Sequence, residues 1–128
     1  MLTLCGSCVA CSSNPVDVVC TTEVVPAIVV EIRSAVTGAF VAGDAWGAVT
    51  EGSAYTDILQ PGESNDFGTL MTLQGAFERV GLYNIRIQHD DFKPWFRTSI
   101  LVTANECHVN TVTLTAMLVP YASSERLR

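Results

Sequence analysis

The sequence of 128 residues has few charged side chains, and very few of these are basic. Charged residues make up 16% of the chain, with 7 basic against 13 acidic side chains and a net charge of −6. Lysine occurs once, at Lys93, and the arginines are scattered. Binding to nucleic acid phosphates requires clustered cationic side chains. The composition therefore excludes nucleic acid as an expected partner.

Long hydrophobic runs are also lacking, although 48% of the residues are apolar. The most apolar stretch, Val24–Ile32, is far shorter than the roughly 18 residues of a membrane span. We therefore expect any membrane contact to be made only through an attached N-terminal lipid. The length supports one domain with one core, and the high apolar fraction excludes a disordered chain.

The five cysteines fall into two groups. Cys5, Cys8 and Cys11 have the spacing that opens a bacterial-type iron–sulfur motif. Pro15 stands where the fourth ligand of that motif is needed, so we do not expect a cluster. A surplus of free thiols at an ordinary N-terminus remains an alternative.

An export signal accounts for the N-terminus better. Residues 1–10 are small and apolar, and the sequence becomes polar directly after Cys11. Gly6–Cys8 and Val9–Cys11 both resemble the processing box of a bacterial lipoprotein, with Cys11 favoured over Cys8 as the lipidated residue. Because the basic leading region is missing, we expect Met1 to lie inside a longer signal. Residues 1–19 are thus interpreted as signal end and tether.

Cys20 and Cys107 are the natural pair for a disulfide if the protein is exported to an oxidising compartment. The loop that they close would span most of the domain, which the chain-entropy model values at roughly 4–5 kcal/mol. In a reducing compartment they would instead be two buried thiols.

From Val24 onward, two-residue alternation and β-branched residues predict strands rather than helices. About seven strands with regularly spaced turns predict an all-β chain, a single seven-stranded antiparallel β-sandwich over residues 20–120. Residues 121–128 are expected to form a flexible tail. The predicted strands are Pro26–Arg33, Ala45–Thr50, Ser53–Leu59, Thr69–Phe77, Gly81–Gln88, Phe92–Val102 and His108–Leu118.

Several short motifs give residues 20–118 a resemblance to a known group of domains. They are Val25–Ile28 at the first strand, Glu51–Tyr55, Gly81–Ile85 and, at the last strand, Glu106–Val109. The chain resembles the carboxypeptidase regulatory-like and transthyretin-like sandwich domains. The resemblance implies a transthyretin-like or Ig-like fold and a mostly non-catalytic role. In bacterial lipoproteins of this sort, cysteines before the first and last strands are similar to Cys20 and Cys107.

No catalytic set is expected. The hydroxyisourate hydrolase of the transthyretin-like group ends in Tyr-Arg-Gly-Ser, whereas here Pro120–Ser124 follows the last strand and lacks that signature. The spacing of tyrosines and histidines does not match the iron ligands of intradiol dioxygenases. Cys107 and His108 would point to opposite faces of a strand, which argues against a thiol–base pair. We therefore predict neither an enzyme nor a cofactor.

Metal ligation is an alternative at two places. His89–Asp91 could bind a divalent cation, but a polar turn is the expected reading. The acids Asp57, Glu63 and Asp66 could bind calcium, but they lack a recognisable ligand spacing and are expected to be solvated loop charges.

The aromatic residues provide the candidate binding surface. Trp46, Phe92, Trp95 and Phe96 could form an exposed patch, and Phe92, Trp95 and Phe96 are the first candidates, although aromatics in a sandwich are more often core residues. Trp95 and Phe96 are adjacent, so one should face inward and the other outward. We expect a non-enzymatic module of the bacterial cell envelope, lipid-anchored or secreted, that binds or scaffolds a protein partner. A carbohydrate- or metal-binding sandwich is the alternative.

Overall fold

The computed structural model describes residues 19–122 of the chain. These residues form eight strands and one short 3-10 helix, Ala42–Asp44. In chain order the strands are β1 (Ile28–Ser34), β2 (Ala45–Glu51), β3 (Tyr55–Ile58), β4 (Gln60–Pro61), β5 (Thr72–Gly75), β6 (Gly81–His89), β7 (Phe92–Val102) and β8 (Val112–Leu118).

The strands form two sheets of four, as in a β-sandwich. Sheet 1 has the order β8-β1-β5-β4, and sheet 2 has the order β3-β2-β6-β7. The prediction of an all-β chain is confirmed. The strand count differs from seven because β4 lies in a segment whose Pro61 and Gly62 predicted a loop. Pro61 nevertheless pairs with Leu73, and the Gly62 N–H donates to the Thr72 carbonyl at 2.9 Å.

One strand pair corrects the prediction of a purely antiparallel sandwich. β8 pairs with β1 in parallel, from Val112 opposite Ile28 to Leu118 opposite Ser34. The pairing begins where the Val112 N–H donates to the Ala27 carbonyl at 2.9 Å. The chain crosses from sheet 2 to sheet 1 between β7 and β8, so β8 enters sheet 1 from the end at which β1 begins.

The core lies between the two sheets and follows the predicted alternation. Alternate residues of β1 and of β6 point inward and are almost completely buried, and the other strands complete the same layer. Burial of one face of each sheet is the expected source of stability for this architecture. The main core side chains are Ile28, Val30, Ile32, Val49, Leu73, Tyr83, Ile85, Ile87, Val102, Ala116 and Leu118.

Tyr83 fixes one end of the sandwich through its hydroxyl group. The ring is completely buried, and the hydroxyl donates to the Arg79 carbonyl at 2.7 Å, the geometry of a tyrosine corner. The Arg79 guanidinium donates to the Tyr83 hydroxyl at 3.0 Å and to Glu51 at 2.9 Å. Hydrogen bonds from the Leu82 N–H and from Arg79 lower the pKa of the Glu51 carboxyl. The network thereby ties β2 to the start of β6.

Candidate interaction surface

The outer face of sheet 2 carries a row of side chains contributed by all four of its strands. Ile58 lies opposite Ala48, Ala48 lies opposite Arg86, and Arg86 lies opposite Phe96. Directly opposed residues project on the same side of a sheet, so these four side chains form one continuous band. We call the surface around this band the Arg86 face; it comprises Trp46, Ala48, Thr50, Thr56, Ile58, Asn84, Arg86, Phe96 and Thr98.

Large apolar side chains stand in solvent on the Arg86 face. Ile58 is 64% exposed, Phe96 is 61% exposed and Trp46 is 47% exposed. The small Ala48 lies between them and leaves an open concavity of about 480 Å³, whose rim also includes Asn84. Single exposed apolar residues are common on proteins, but three large ones on one sheet face make that face a candidate interaction surface.

Arg86 is the one charged residue that lines this concavity in the described chain. Two other arginines are paired, since Arg33 contacts Glu31 at 3.1 Å and Arg79 contacts Glu51 at 2.9 Å. Arg86 has no ion pair within residues 19–122. An unpaired cation therefore lies among neutral groups, both apolar and polar, on a chain whose net charge is −6.

A β-bulge in β7 shapes the rim of this surface. The pairing of β6 with β7 shifts register between Tyr83 and Ile85, where Ser99 has a positive φ of 59°. The Ser99 N–H donates to the Asn84 side-chain oxygen at 3.1 Å. Asn84 thus uses its side chain to satisfy a backbone donor at the irregular position, while Thr98 remains at the edge of the concavity.

The three aromatics predicted as a binding surface are divided by the fold. Phe92 is 9% exposed and belongs to the core. Trp95 packs partly against the core and lines a small groove between β7 and β8. Phe96 faces outward, so the prediction that Trp95 and Phe96 face opposite ways is confirmed. Of the three, only Phe96 lies on the Arg86 face, where it is directly opposite Arg86 of β6.

The outer face of sheet 1 differs in chemistry. Its concavity, of about 640 Å³, is lined by carboxylates, by threonines of β8 and by the segment that leads into β1. The carboxylates are Glu23, Glu31 and Glu63. The charged residues that line this concavity are therefore acidic, whereas the one that lines the concavity of the Arg86 face is basic.

A second cluster lies where the chain enters the sandwich. Cys20 and Cys107 form a disulfide, with their Cα atoms 5.2 Å apart, as the sequence predicted. The bond joins the segment before β1 to the loop before β8. We call residues 20–26 the strap, because this segment leads into β1 and its Glu23, Val24 and Pro26 border the sheet 1 concavity.

Glu78 and His108 hold the strap beside the disulfide. The Thr21 hydroxyl lies 2.9 Å from His108 Nε2, and His108 Nδ1 lies 2.5 Å from the Glu78 carboxylate. The carboxylate also accepts the Val25 N–H at 3.0 Å, and the Glu78 N–H donates to the Val25 carbonyl at 2.8 Å. Burial tends to raise the pKa of Glu78, but hydrogen bonds from His108, Val25 and Val109 outweigh it and lower that pKa.

This hydroxyl, imidazole and carboxylate stand in the order of a hydrolytic triad. The carboxylate is nevertheless occupied in joining three chain segments, and the three concavities described here are lined by other residues. These hydrogen bonds hold the strap against the segments that contain Glu78 and His108. In the sequence, only Cys20 and Cys107 indicated this cluster. The part that Glu78 plays could not be predicted, because Glu78 meets Val25 only in the folded structure.

Two of the predicted candidates for metal ligation, His89 and Asp57, instead accept hydrogen bonds from backbone N–H groups. His89 is buried, and its Nδ1 accepts the Asp91 N–H at 3.1 Å within the turn. The Asp57 carboxylate accepts the Ala76 N–H at 2.9 Å. Among residues 19–122, no group of three or more His, Cys, Asp or Glu residues has the arrangement of a metal site. The candidate lipidation sites Cys11 and Cys8 lie outside the described residues.

Comparison with known proteins gives no assignment. No protein-family model matches the chain, and no curated protein is significantly similar to it. No helix within the described range is long and apolar enough to cross a membrane.

Proposed function

We propose that the protein is a non-enzymatic binding module that docks another protein through the Arg86 face. The observation that carries this proposal is the band of exposed Ile58, Ala48, Arg86 and Phe96 side chains across sheet 2. Aromatic and arginine side chains are enriched among the residues that contribute most to protein interfaces. A shallow surface with such residues and an open concavity fits a protein segment.

Charge defines the kind of partner. Arg86 would lose water when the apolar side chains around it are covered, and a buried unpaired charge is unfavourable. A partner that places a carboxylate opposite Arg86 and apolar groups against Phe96 and Ile58 removes that penalty. The preferred ligand is therefore an acidic segment with at least one large apolar side chain.

The face of sheet 2, and not its edge, is the better docking surface. β7 is an edge strand of eleven residues, which would otherwise invite pairing with another strand. It carries Lys93, Pro94 and Arg97 as well as the bulge at Ser99. Charges, proline and bulges are the features by which natural edge strands avoid such pairing.

Export and lipid anchoring belong to the same proposal. The Cys20–Cys107 disulfide supports an oxidising compartment, since such bonds are rare in reducing cytosol. We place the protein in the bacterial cell envelope, held by a lipid on Cys11 or Cys8, with a sandwich of the transthyretin-like type. Intact mass after expression from the full upstream reading frame, before and after reduction, tests this part. An unprocessed chain with five free thiols would contradict it.

Selection from a library of random peptides displayed on phage tests the docking surface directly. We expect enriched peptides to combine acidic and aromatic residues, and their binding to be at least tenfold weaker for R86E and for F96S. V36S is the matched control, because Val36 is an exposed apolar residue in the turn after β1. Peptides that bind R86E, F96S and V36S equally well would refute the Arg86 face as the binding site.

Carbohydrate binding is the second candidate. Thr50, Asn84 and Arg86 place hydrogen-bonding groups beside Phe96 in the same concavity, an arrangement that suits a sugar. A glycan array probed with the wild type and with R86E and F96S distinguishes the two functions. Saturable glycan binding that both substitutions abolish would replace the protein-binding proposal.

A further inference from the structure

A β-hairpin of sheet 1 ends in an exposed aromatic residue. After β4 the two arms remain paired, since the Met71 N–H donates to the Glu63 carbonyl at 2.7 Å and Ser64 bridges Leu70. The turn at the end presents Phe67, which is 93% exposed. We call residues 65–69 the hairpin tip.

The hairpin tip is held by local hydrogen bonds. The Asn65 side-chain oxygen accepts the N–H groups of Phe67 at 2.9 Å and Thr69 at 3.0 Å. The Gly68 N–H donates to the Asn65 carbonyl at 3.0 Å, and Gly68 supplies the positive φ of 80° that the turn needs. Phe67 is therefore presented on an ordered backbone, which reduces the entropy lost on binding.

We propose that Phe67 of one copy of this chain inserts into the concavity of the Arg86 face of a second copy. This inference rests on the proposed function of that face and names its occupant. The hairpin tip has the two properties required of that occupant. Phe67 provides the large apolar side chain, and the adjacent Asp66 provides the carboxylate.

The two surfaces are complementary in charge, and the concavity has room for an aromatic side chain. The concavity is open, with a volume of about 480 Å³, and Phe96, Ala48 and Ile85 contribute to its walls. Within residues 19–122, Arg86 supplies the only charge on its lining, whereas the charged residues of the hairpin arm, Glu63 and Asp66, are negative. A narrow projecting turn reaches into such a depression more readily than a flat sheet face does.

The contact joins two different surfaces of the same chain. Such a heterologous contact builds open head-to-tail chains unless the rotation between neighbours closes a ring. The hairpin belongs to sheet 1, and the Arg86 face is the outer surface of sheet 2. Since one small tip supplies the contact, we expect weak association that grows with concentration.

Sedimentation equilibrium of the folded domain at low salt, up to about 1 mM, tests the proposal. We expect the wild type to associate, and F67S and R86D each to weaken association about tenfold or more. V36S is again the control for loss of an exposed apolar side chain and should associate as the wild type does. Circular dichroism establishes that each variant is folded.

Exchange of the charges at Asp66 and Arg86 gives a more specific test of the same contact. D66R and R86D should each self-associate poorly. In D66R two positive charges would meet at the contact, and in R86D two negative charges would meet there. A mixture of the two should associate again, since the basic tip of D66R can meet the acidic face of R86D. Absence of self-association by the wild type, an unchanged F67S, or a mixture no better than its parts would overturn the proposal.

The same variants separate this inference from the proposed function. If displayed peptides bind the Arg86 face and lose affinity with R86E, while F67S leaves the sedimentation unchanged, the partner is a different protein and only the self-association is refuted. If R86E and F96S change neither peptide binding nor self-association, both proposals are wrong.

Discussion

Ser99 lies at one of the two points where the pairing of the edge strand β7 with β6 is irregular. Its φ of 59° lies in the left-handed region, which L-residues with a side chain adopt at a steric cost. S99G should leave the free energy of unfolding unchanged or slightly higher, because relief of that cost offsets the greater freedom of glycine when unfolded. S99V should lower it by about 1–2 kcal/mol, since a β-branched residue is most restricted there. Urea denaturation of both variants checks this, and equal stabilities would contradict it.

Gly47 allows β2 to approach β6 beneath the Arg86 face. A Cβ atom at this position would collide with the Arg86 carbonyl oxygen and lie 2.8 Å from Ile87 Cδ1. Because the obstacle includes backbone, G47A should lower the free energy of unfolding by about 1–3 kcal/mol. G43A is the matched control, since a Cβ at Gly43 meets nothing within 4 Å. Thermal denaturation that shows the same loss for both glycines would disprove this explanation.

Glu78 links the strap to acid stability. Its pKa is lowered in the folded protein, so the unfolded chain takes up the proton first. The carboxylate therefore stabilises the fold above its unfolded pKa, near 4.5, and this contribution disappears as the pH falls through the lower folded value. E78Q should flatten the acid part of the stability profile.

Urea denaturation between pH 3 and pH 7 measures this effect. E23Q is the control, because Glu23 lies on the same strap but has no part in the Glu78 network. The explanation fails if E78Q and E23Q have parallel acid profiles.

At the scale of the elements, the disulfide joins the beginnings of the first and last strands. Cys20 and Cys107 are separated by 87 residues in sequence. Removing a cross-link over so long a loop should lower the free energy of unfolding by about 2–5 kcal/mol. C20S/C107S compared with the oxidised wild type in urea gives the value. A double variant as stable as the wild type would mean that the bond constrains little.

The strands could be predicted from the sequence because their apolar residues alternate. β1 and β6 show the pattern most clearly, with Ile28, Val30 and Ile32 on one buried face and Tyr83 and Ile85 on another. Alternation specifies which residues face inward, but it carries no information on which strands pair or in which direction. The predicted disulfide did contain that information. Cysteines that join the starts of the first and last strands imply that both enter from the same end, as the parallel pair does.

The interaction surface could be predicted only in part for a related reason. Alternation along β6 places Arg86 on the face opposite Ile85 and Ile87, and the adjacency of Trp95 and Phe96 predicts that these two side chains face opposite ways. Grouping Arg86 with Phe96 requires the register between β6 and β7, which shifts once between the turn and this pair, from His89 to Ile87, and again beyond it, from Ile85 to Tyr83. Proximity in sequence therefore groups Phe96 with Phe92 and Trp95, whereas in the fold its neighbour on the outer face is Arg86 of the adjacent strand.

At the scale of the whole molecule, the sandwich separates two kinds of surface. Sheet 1 presents carboxylates and threonines outward, whereas sheet 2 presents Arg86 beside apolar side chains such as Phe96 and neutral polar ones such as Thr50 and Asn84. The net charge of −6 hides this division, because a sum over the sequence does not show where the charges lie. A ligand that carries negative charge should avoid the first surface and be oriented toward the second.

Ionic strength should reveal how much of the docking is electrostatic. An exposed ion pair contributes about 0.2–1 kcal/mol and is screened by salt, so affinity for an acidic ligand should fall by up to about fivefold between low and high salt. The apolar contribution of Phe96 and Ile58 does not weaken in this way. R86Q should therefore bind less tightly at low salt yet lose most of the salt dependence, whereas F96S should bind less tightly at every ionic strength. Trp46, on the same surface, provides a fluorescence readout. Equal salt dependence in the wild type and in R86Q would show that Arg86 does not pair with the ligand.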